Sequence, residues 1–114
     1  MSPYLYLLRE YQKKQRERQE KERQFLLKEV KEALSELAKV ILFKEVYIFG
    51  SLLKPYSFFK GSDIDLAFTD LKDEDFFQAK VLLSRRLKRE VDVVQLEKQR
   101  LKDKILGGGI IWKG

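Results

Sequence analysis

Residues 61–68 read Gly-Ser-Asp-Ile-Asp-Leu-Ala-Phe. The alternation predicts a strand over 63–68, with Ile64, Leu66 and Phe68 on one side and Asp63, Asp65 and Ala67 on the other. Strands are depleted in aspartate, so Asp65 between Ile64 and Leu66 needs a reason. Two anions on one face repel, and the arrangement is costly unless a cation lies between them. A hard divalent metal, which prefers oxygen ligands, is the simplest such cation.

Upstream, Lys44 to Phe49 is strand-like through Val46, Ile48 and Phe49, and Gly50-Ser51 ends it. Ser51 to Phe58 suits a short helix interrupted by Pro55. A strand that ends in Gly-Ser and enters a helix leaves backbone N–H groups free to bind an anion. Glycine also lets a phosphate approach the backbone closely. Downstream, Val91 to Leu96 predicts a third strand on which Asp92 and Val94 share a face. If that strand neighbours the second, Asp63, Asp65 and Asp92 converge. Three anions in one place suit two Mg²⁺ ions about 3.5–4 Å apart, the arrangement that clamps both oxygens of an in-line displacement. Taken singly, the parts have plainer readings: Gly50-Ser51 as an ordinary turn, Asp63 as a cap, and Asp92 as a surface residue beside Arg89 or Arg100.

Composition narrows the chemistry. The chain has 114 residues, enough for one compact domain, and 44% of them are hydrophobic. It contains no cysteine and no histidine. Disulfides, thiolate nucleophiles, zinc-thiolate sites, imidazole bases and Ser-His catalysis are therefore excluded. No apolar stretch approaches the ~20 residues needed to cross a membrane. The first residues also lack the pattern of a secretory signal, which predicts a cytoplasmic protein. Abundant Lys, Arg and Glu, with no Asn, fit a thermophilic source. The net charge of +6 permits contact with phosphates, but it reads first as a solvated surface rich in ion pairs.

Residues 4–42 contain neither glycine nor proline and read as one long helix or two end to end. Tyr4, Leu7, Leu8 and Tyr11 form a short apolar stripe. Gln12 to Gln24 contains no apolar residue. Phe25, Leu26, Val30, Ala33, Leu34, Leu37, Ala38 and Ile41 then recur at helical spacing and predict a core-facing stripe. The expected organisation is a projecting helical extension over 1–24 and a domain over 25–114. The terminal stripe serves as a docking patch for self-association or a partner, or else folds back on its own domain. Further on, Asp70, Asp73, Glu74 and Asp75 mark an acidic helix start, and the helix runs through Phe76 to Leu87. A basic helix over Lys98 to Leu106, ended by Gly107-Gly108-Gly109, precedes an edge strand or docking tail at Ile110 to Trp112. The order predicts an α/β or α+β fold with a small sheet.

Gly50-Ser51, then Ser62-Asp63-Ile64-Asp65-Leu66, then Val91-Asp92-Val93-Val94 together resemble the signature of the DNA polymerase β-like nucleotidyltransferases. The short length is similar to the minimal nucleotidyltransferases, and the resemblance covers about residues 25–112. It implies a small mixed sheet with helices packed on one face, preceded here by the long N-terminal helix. It also implies transfer of a nucleoside monophosphate, AMP from ATP, to a hydroxyl with pyrophosphate leaving. By that resemblance Asp63 and Asp65 hold both Mg²⁺ ions, and Asp92 completes the site of the nucleophile-side ion. Gly50 and Ser51 hold the triphosphate, with Ser62 beside the first aspartate and Lys54 supplying the charge of the family's usual arginine. Many minimal members are antitoxins paired with a helical HEPN-type ribonuclease toxin, which they modify on a tyrosine or simply bind.

The chain departs from the pattern between Ser51 and Asp63. Eleven residues lie there where the common minimal form has ten, and Tyr56, Phe58 and Phe59 make the loop unusually aromatic. Three functions follow in order of support. The first is an Mg²⁺-dependent transferase acting on a protein partner. The second is a non-catalytic module of the same fold that neutralises or assembles with a partner. The third is nucleic-acid binding, against which the interleaved glutamates of residues 17–22 argue.

Overall fold

The computed structural model describes residues 2–53, 63–100 and 102–113, the side chain of Ser51 excepted. The first element, α1, is one continuous helix, Pro3–Leu37. Ser2 caps it: the Ser2 Oγ accepts from the Tyr4 N–H at 3.2 Å, and Pro3 stands in the first turn, where its missing N–H costs nothing. At 1.5 Å per residue the helix runs roughly 50 Å, which explains the 60 × 28 × 20 Å shape of the molecule. Its buried side chains are Arg23, Val30, Ala33, Leu34 and Leu37. Tyr4, Leu7, Leu8 and Tyr11 are exposed, as is Phe25. The helix stops at Leu37, short of the predicted Leu42. The Ala38 and Val40 N–H groups bond back to Leu34 and Leu37, and the chain turns so that Ile41 is buried before the first strand.

After α1 come β1 (Glu45–Phe49), β2 (Ile64–Phe68), α2 (Asp73–Leu87), β3 (Val91–Gln95), α3 (Lys102–Gly108) and β4 (Ile110–Lys113). Short 3₁₀ turns follow β1, at Gly50–Leu53, and β3, at Leu96–Lys98. The sheet order is β3-β2-β1-β4. β2 and β3 run parallel and are joined through α2, while β1 is antiparallel to both β2 and β4. Residues 110–113 are thus an edge strand of the sheet. Asp63 stands one residue ahead of β2, and Asp70 lies outside α2. Asp70 takes a left-handed turn conformation, φ 56°, from which its N–H donates to Glu97 Oε1 at 2.9 Å. The predicted basic helix is shifted toward the glycines, because Leu96 is buried and residues 96–98 form the 3₁₀ turn instead.

Helices α1 and α2 cover one face. Val30, Leu34 and Leu37 of α1 and Ala79 and Leu83 of α2 pack on Val46, Ile48, Ile64, Leu66, Phe68, Val91 and Val93. Each valine, leucine, isoleucine or phenylalanine among them contributes about 1.5–3 kcal/mol when fully buried. Phe43 meets Phe68 edge-on at 5.0 Å and Trp112 at 5.5 Å, which fastens β4 to the core. On the surface, Arg86 of α2 reaches Glu29 at 3.1 Å and Glu36 at 2.8 Å on α1. The opposite face carries a smaller cluster of Tyr47, Ala67, Leu96 and Ile105, with Phe49 and Val94 against it. Here α3 lies over the sheet through Ile105. Side chains alternate along a strand, so Asp65 and Asp92 fall on this second face.

Candidate active site

The register brings the carboxylates together. Asp65 on β2 is the direct partner of Asp92 on β3, and Phe49 on β1 is the partner of Asp65 from the other side. Asp65 and Asp92 are half-buried, whereas Asp63 is exposed. The Asp65 carboxyl is pushed above the ordinary carboxylate range. Burial is the main cause, followed by the negative charges of Asp92 and Asp63 and a hydrogen bond with Asp92. Among the described residues, the charges that raise it are both anions. Among the described residues, no three acidic side chains close into a ready-made metal cage. The pair formed is Asp65 with Asp92, and Asp63 bears on it through its charge.

The turn after β1 is fitted to that pair. Gly50 has φ 81°, a left-handed conformation that an L side chain rarely adopts. A Cβ on residue 50 would collide with Asp65 Oδ2 and approach Asp65 Cγ to 3.1 Å. Gly50 is therefore required both by its backbone angle and by the carboxylate beside it. Leu52, two residues on, is fully buried and anchors the turn in the core. The backbone of Ser51 lies in this turn. Lys54 and Ser62, with the roles expected of them, and the aromatic residues Tyr56, Phe58 and Phe59 lie outside the described residues.

Arg23 completes the support of the turn. It is the buried charged residue of α1, 8% exposed. Its Nη1 donates to the Leu52 carbonyl at 2.7 Å, and its Nε and Nη2 donate to Glu20 at 3.0 and 2.6 Å. The hydrogen bonds it donates to Glu20 hold the guanidinium above its usual range, against the opposing effect of burial. Sequence reasoning missed this residue because it treated Gln12 to Gln24 as uniformly solvated. The signal was present: Arg23, Val30 and Leu37 recur at seven-residue spacing, so the core-facing stripe extends one turn-pair further back through a charged member.

The donor set suits a hard divalent cation. It offers carboxylate oxygens, and the chain has no imidazole or thiolate to compete for softer ions. A cation between Asp65 and Asp92 would remove the repulsion that raises the Asp65 carboxyl. A cavity of about 510 Å³ opens alongside, sharing Phe49 and Gly50 with this site. A second hollow, about 580 Å³, lies by Asp73, Gln95 and Lys98. Three of its polar groups already pair with one another: Asp73 accepts from Gln95 at 2.7 Å and from Lys98 at 2.8 Å.

Residues 27–113 match the family model described as polymerase beta, nucleotidyltransferase. No curated protein sequence matches the chain. Among solved structures, a toxin-antitoxin crystal structure with AMP-PNP superposes with a TM-score of 0.62 at 22% identity, covering 74% of this chain and 73% of that one. A structure described as a minimal nucleotidyltransferase gives 0.60 at 23% identity, over 77% of this chain and 93% of that one. A protein from Sulfolobus solfataricus described as a nucleotidyltransferase is 30% identical over 80% of this chain and 83% of its own, with a TM-score of 0.50.

Proposed function

The chain belongs to the polymerase β family of nucleotidyltransferases, and we propose that it transfers AMP from ATP to a hydroxyl of a protein partner, with Mg²⁺ held by Asp65, Asp92 and Asp63. The observation that carries this reading is the pairing of Asp65 with Asp92 directly beside the Gly50 turn. Bound Mg²⁺ supplies positive charge that neutralises the phosphates. The chain's own residues supply position. The Gly50-Ser51 turn presents backbone N–H groups to the triphosphate, and Arg23 holds that turn through the Leu52 carbonyl. In the transfer, the partner's hydroxyl oxygen bonds to the α-phosphorus. The bond from that phosphorus to the bridging oxygen breaks, and pyrophosphate departs. The hydroxyl proton passes to one of the three aspartates or to water. Such chemistry depends mainly on alignment and charge, which suits a chain without histidine.

The partner proposed is a HEPN-type helical toxin, which makes this chain the antitoxin. Support comes from the structural neighbour that is a toxin-antitoxin with AMP-PNP. Residues 1–24 then act as an assembly arm, through the exposed Tyr4, Leu7 and Tyr11. No helix among the described residues is long and apolar enough to cross a membrane.

Incubation with Mg²⁺, ATP labelled at the α-phosphate and the HEPN-type partner tests the reading. The partner becomes labelled with the wild-type chain and stays unlabelled with Asp65→Asn. Unlabelled partner in the first case, or equal labelling in the second, overturns it.

A further inference from the structure

Helix α1 carries a second face that its own domain leaves bare. Tyr4, Leu7, Tyr11 and Phe25 are between 61% and 73% exposed. Tyr4, Tyr11, Arg18 and Phe25 stand at seven-residue spacing, with Leu7 between the first two, so all share one strip of the helix. The core-facing Val30, Leu34 and Leu37 point about a third of a turn away from that strip. An apolar strip left in water marks an interaction surface. Its apolar residues lie at its two ends, and Gln12 to Gln24 between them contains none. At Phe25 the surface sinks into a hollow of about 430 Å³ between α1 and the end of α2, lined also by Leu26 and Leu87.

We propose that this strip pairs, antiparallel, with the same strip of a second copy of the chain. The pairing gives the assembly arm of residues 1–24 its occupant, and it does not depend on the transferase reading. Charge decides the direction. Glu10, Lys14, Glu17 and Lys21 alternate in sign along one flank of the strip. Among the described residues, none of the four makes an ion pair within the chain. With a two-fold axis between residues 15 and 16, Glu10 lies level with Lys21 of the second copy, and Lys14 with Glu17. A parallel pair puts each of these charges level with its like. The same axis sets Phe25 between the second copy's Tyr4 and Leu7, which cover the hollow. Symmetry repeats the contact at the other end, so both apolar ends of each helix are buried. The polar middle sets the register, and the apolar ends supply the affinity. The unbroken run Pro3–Leu37 holds the two ends at a fixed separation.

The test follows the full chain by sedimentation over a range of concentrations. The wild type should pass from monomer to dimer. Phe25→Ser should weaken the dimer by about tenfold or more, and the melting temperature of the dilute monomer should hold because Phe25 is exposed. Glu17→Lys should weaken the dimer as well, and Lys14→Glu combined with Glu17→Lys should restore it. The chain has no cysteine, which permits a test of direction. Mild oxidation of mixed Leu7→Cys and Phe25→Cys chains should give a mixed disulfide dimer, and neither chain should cross-link alone. A dimer unaffected by Phe25→Ser, or cross-linking of Leu7→Cys by itself, overturns the antiparallel pairing. A wild-type chain that stays monomeric at every concentration also overturns it, and binding of a HEPN-type protein that Phe25→Ser abolishes would then assign the strip to that protein.

Discussion

The carboxylate of Asp65 occupies the space in which residue 50 would carry its Cβ. This relationship couples the Gly50 turn to the acidic pair, because a side chain at residue 50 and the Asp65 carboxylate would need the same space. Gly50→Ala meets two penalties. Alanine at φ 81° costs of order 1–3 kcal/mol in backbone strain, and its methyl must displace Asp65 from beside Asp92. The expected outcome is a lower urea midpoint with an unchanged slope, together with loss of Mn²⁺ binding. Retention of Mn²⁺ binding would show that the turn and the acidic pair are independent.

Asp65 predicts an unusual pH dependence. Its folded-state carboxyl titrates above the ordinary range, chiefly through burial and then through Asp92 and Asp63. In the window between the ordinary and the raised value, the folded chain binds more protons than the unfolded one. Asp65 therefore favours folding below the ordinary carboxylate range, and that contribution is lost as pH rises through the raised value. Asp65→Asn should then stabilise the metal-free protein at neutral pH and lose that advantage in acid. Addition of Mg²⁺ should reverse the order at neutral pH, since only the wild-type pair gains from the cation. Denaturation curves at two pH values, with and without Mg²⁺, check all three statements.

Arg23 should matter although it lies in a polar stretch. Removing its side chain leaves the Leu52 carbonyl and Glu20 without their hydrogen bonds from a buried position. Hydrogen bonds to a charged group contribute about 1.5–3 kcal/mol, so Arg23→Met should lower stability by about that much. Arg23→Lys should recover only part, because an ammonium cannot span the carbonyl and the carboxylate as the guanidinium fork does. Chemical denaturation of the two variants ranks them. Equal stability of Arg23→Met and the wild type would remove Arg23 as the support of the turn.

These residues also mark what a linear reading can and cannot see. The strand carrying Asp65 and the strand carrying Asp92 were legible, because an aspartate flanked by Ile64 and Leu66, or by Val91 and Val93, breaks an otherwise apolar alternation. Their shared face followed from the same period. That β3 lies beside β2 in register was open until the fold placed Asp92 opposite Asp65. The ends of helices were less legible. Residues 38–42 carry no helix breaker, and α1 ends there because Ile41 must enter the core and the following residues must pair as β1. Arg23 was hidden for a different reason: hydrophobic patterning counts apolar side chains, and this position is buried by hydrogen bonding. The cavity beside Gly50 required the spatial approach of α3 to the end of β1, which no local pattern encodes.

The two halves of α1 should respond to substitution in opposite ways. Leu34 is fully buried between the sheet and α2, whereas Leu7 is 66% exposed. Leu34→Ala removes packed atoms from a core that collapses only partly, and should cost about 2–5 kcal/mol. Leu7→Ala removes a side chain that touches mainly solvent, and in dilute monomer should change stability by less than about 0.5 kcal/mol. If the exposed Tyr4, Leu7 and Tyr11 side chains serve assembly, Leu7→Ala should instead alter the concentration dependence of the molecular mass. Denaturation at low protein concentration and sedimentation over a range of concentrations separate the two effects. A shift in stability for Leu7→Ala at low concentration, with mass unchanged throughout, would mean that the N-terminal turns pack within their own chain.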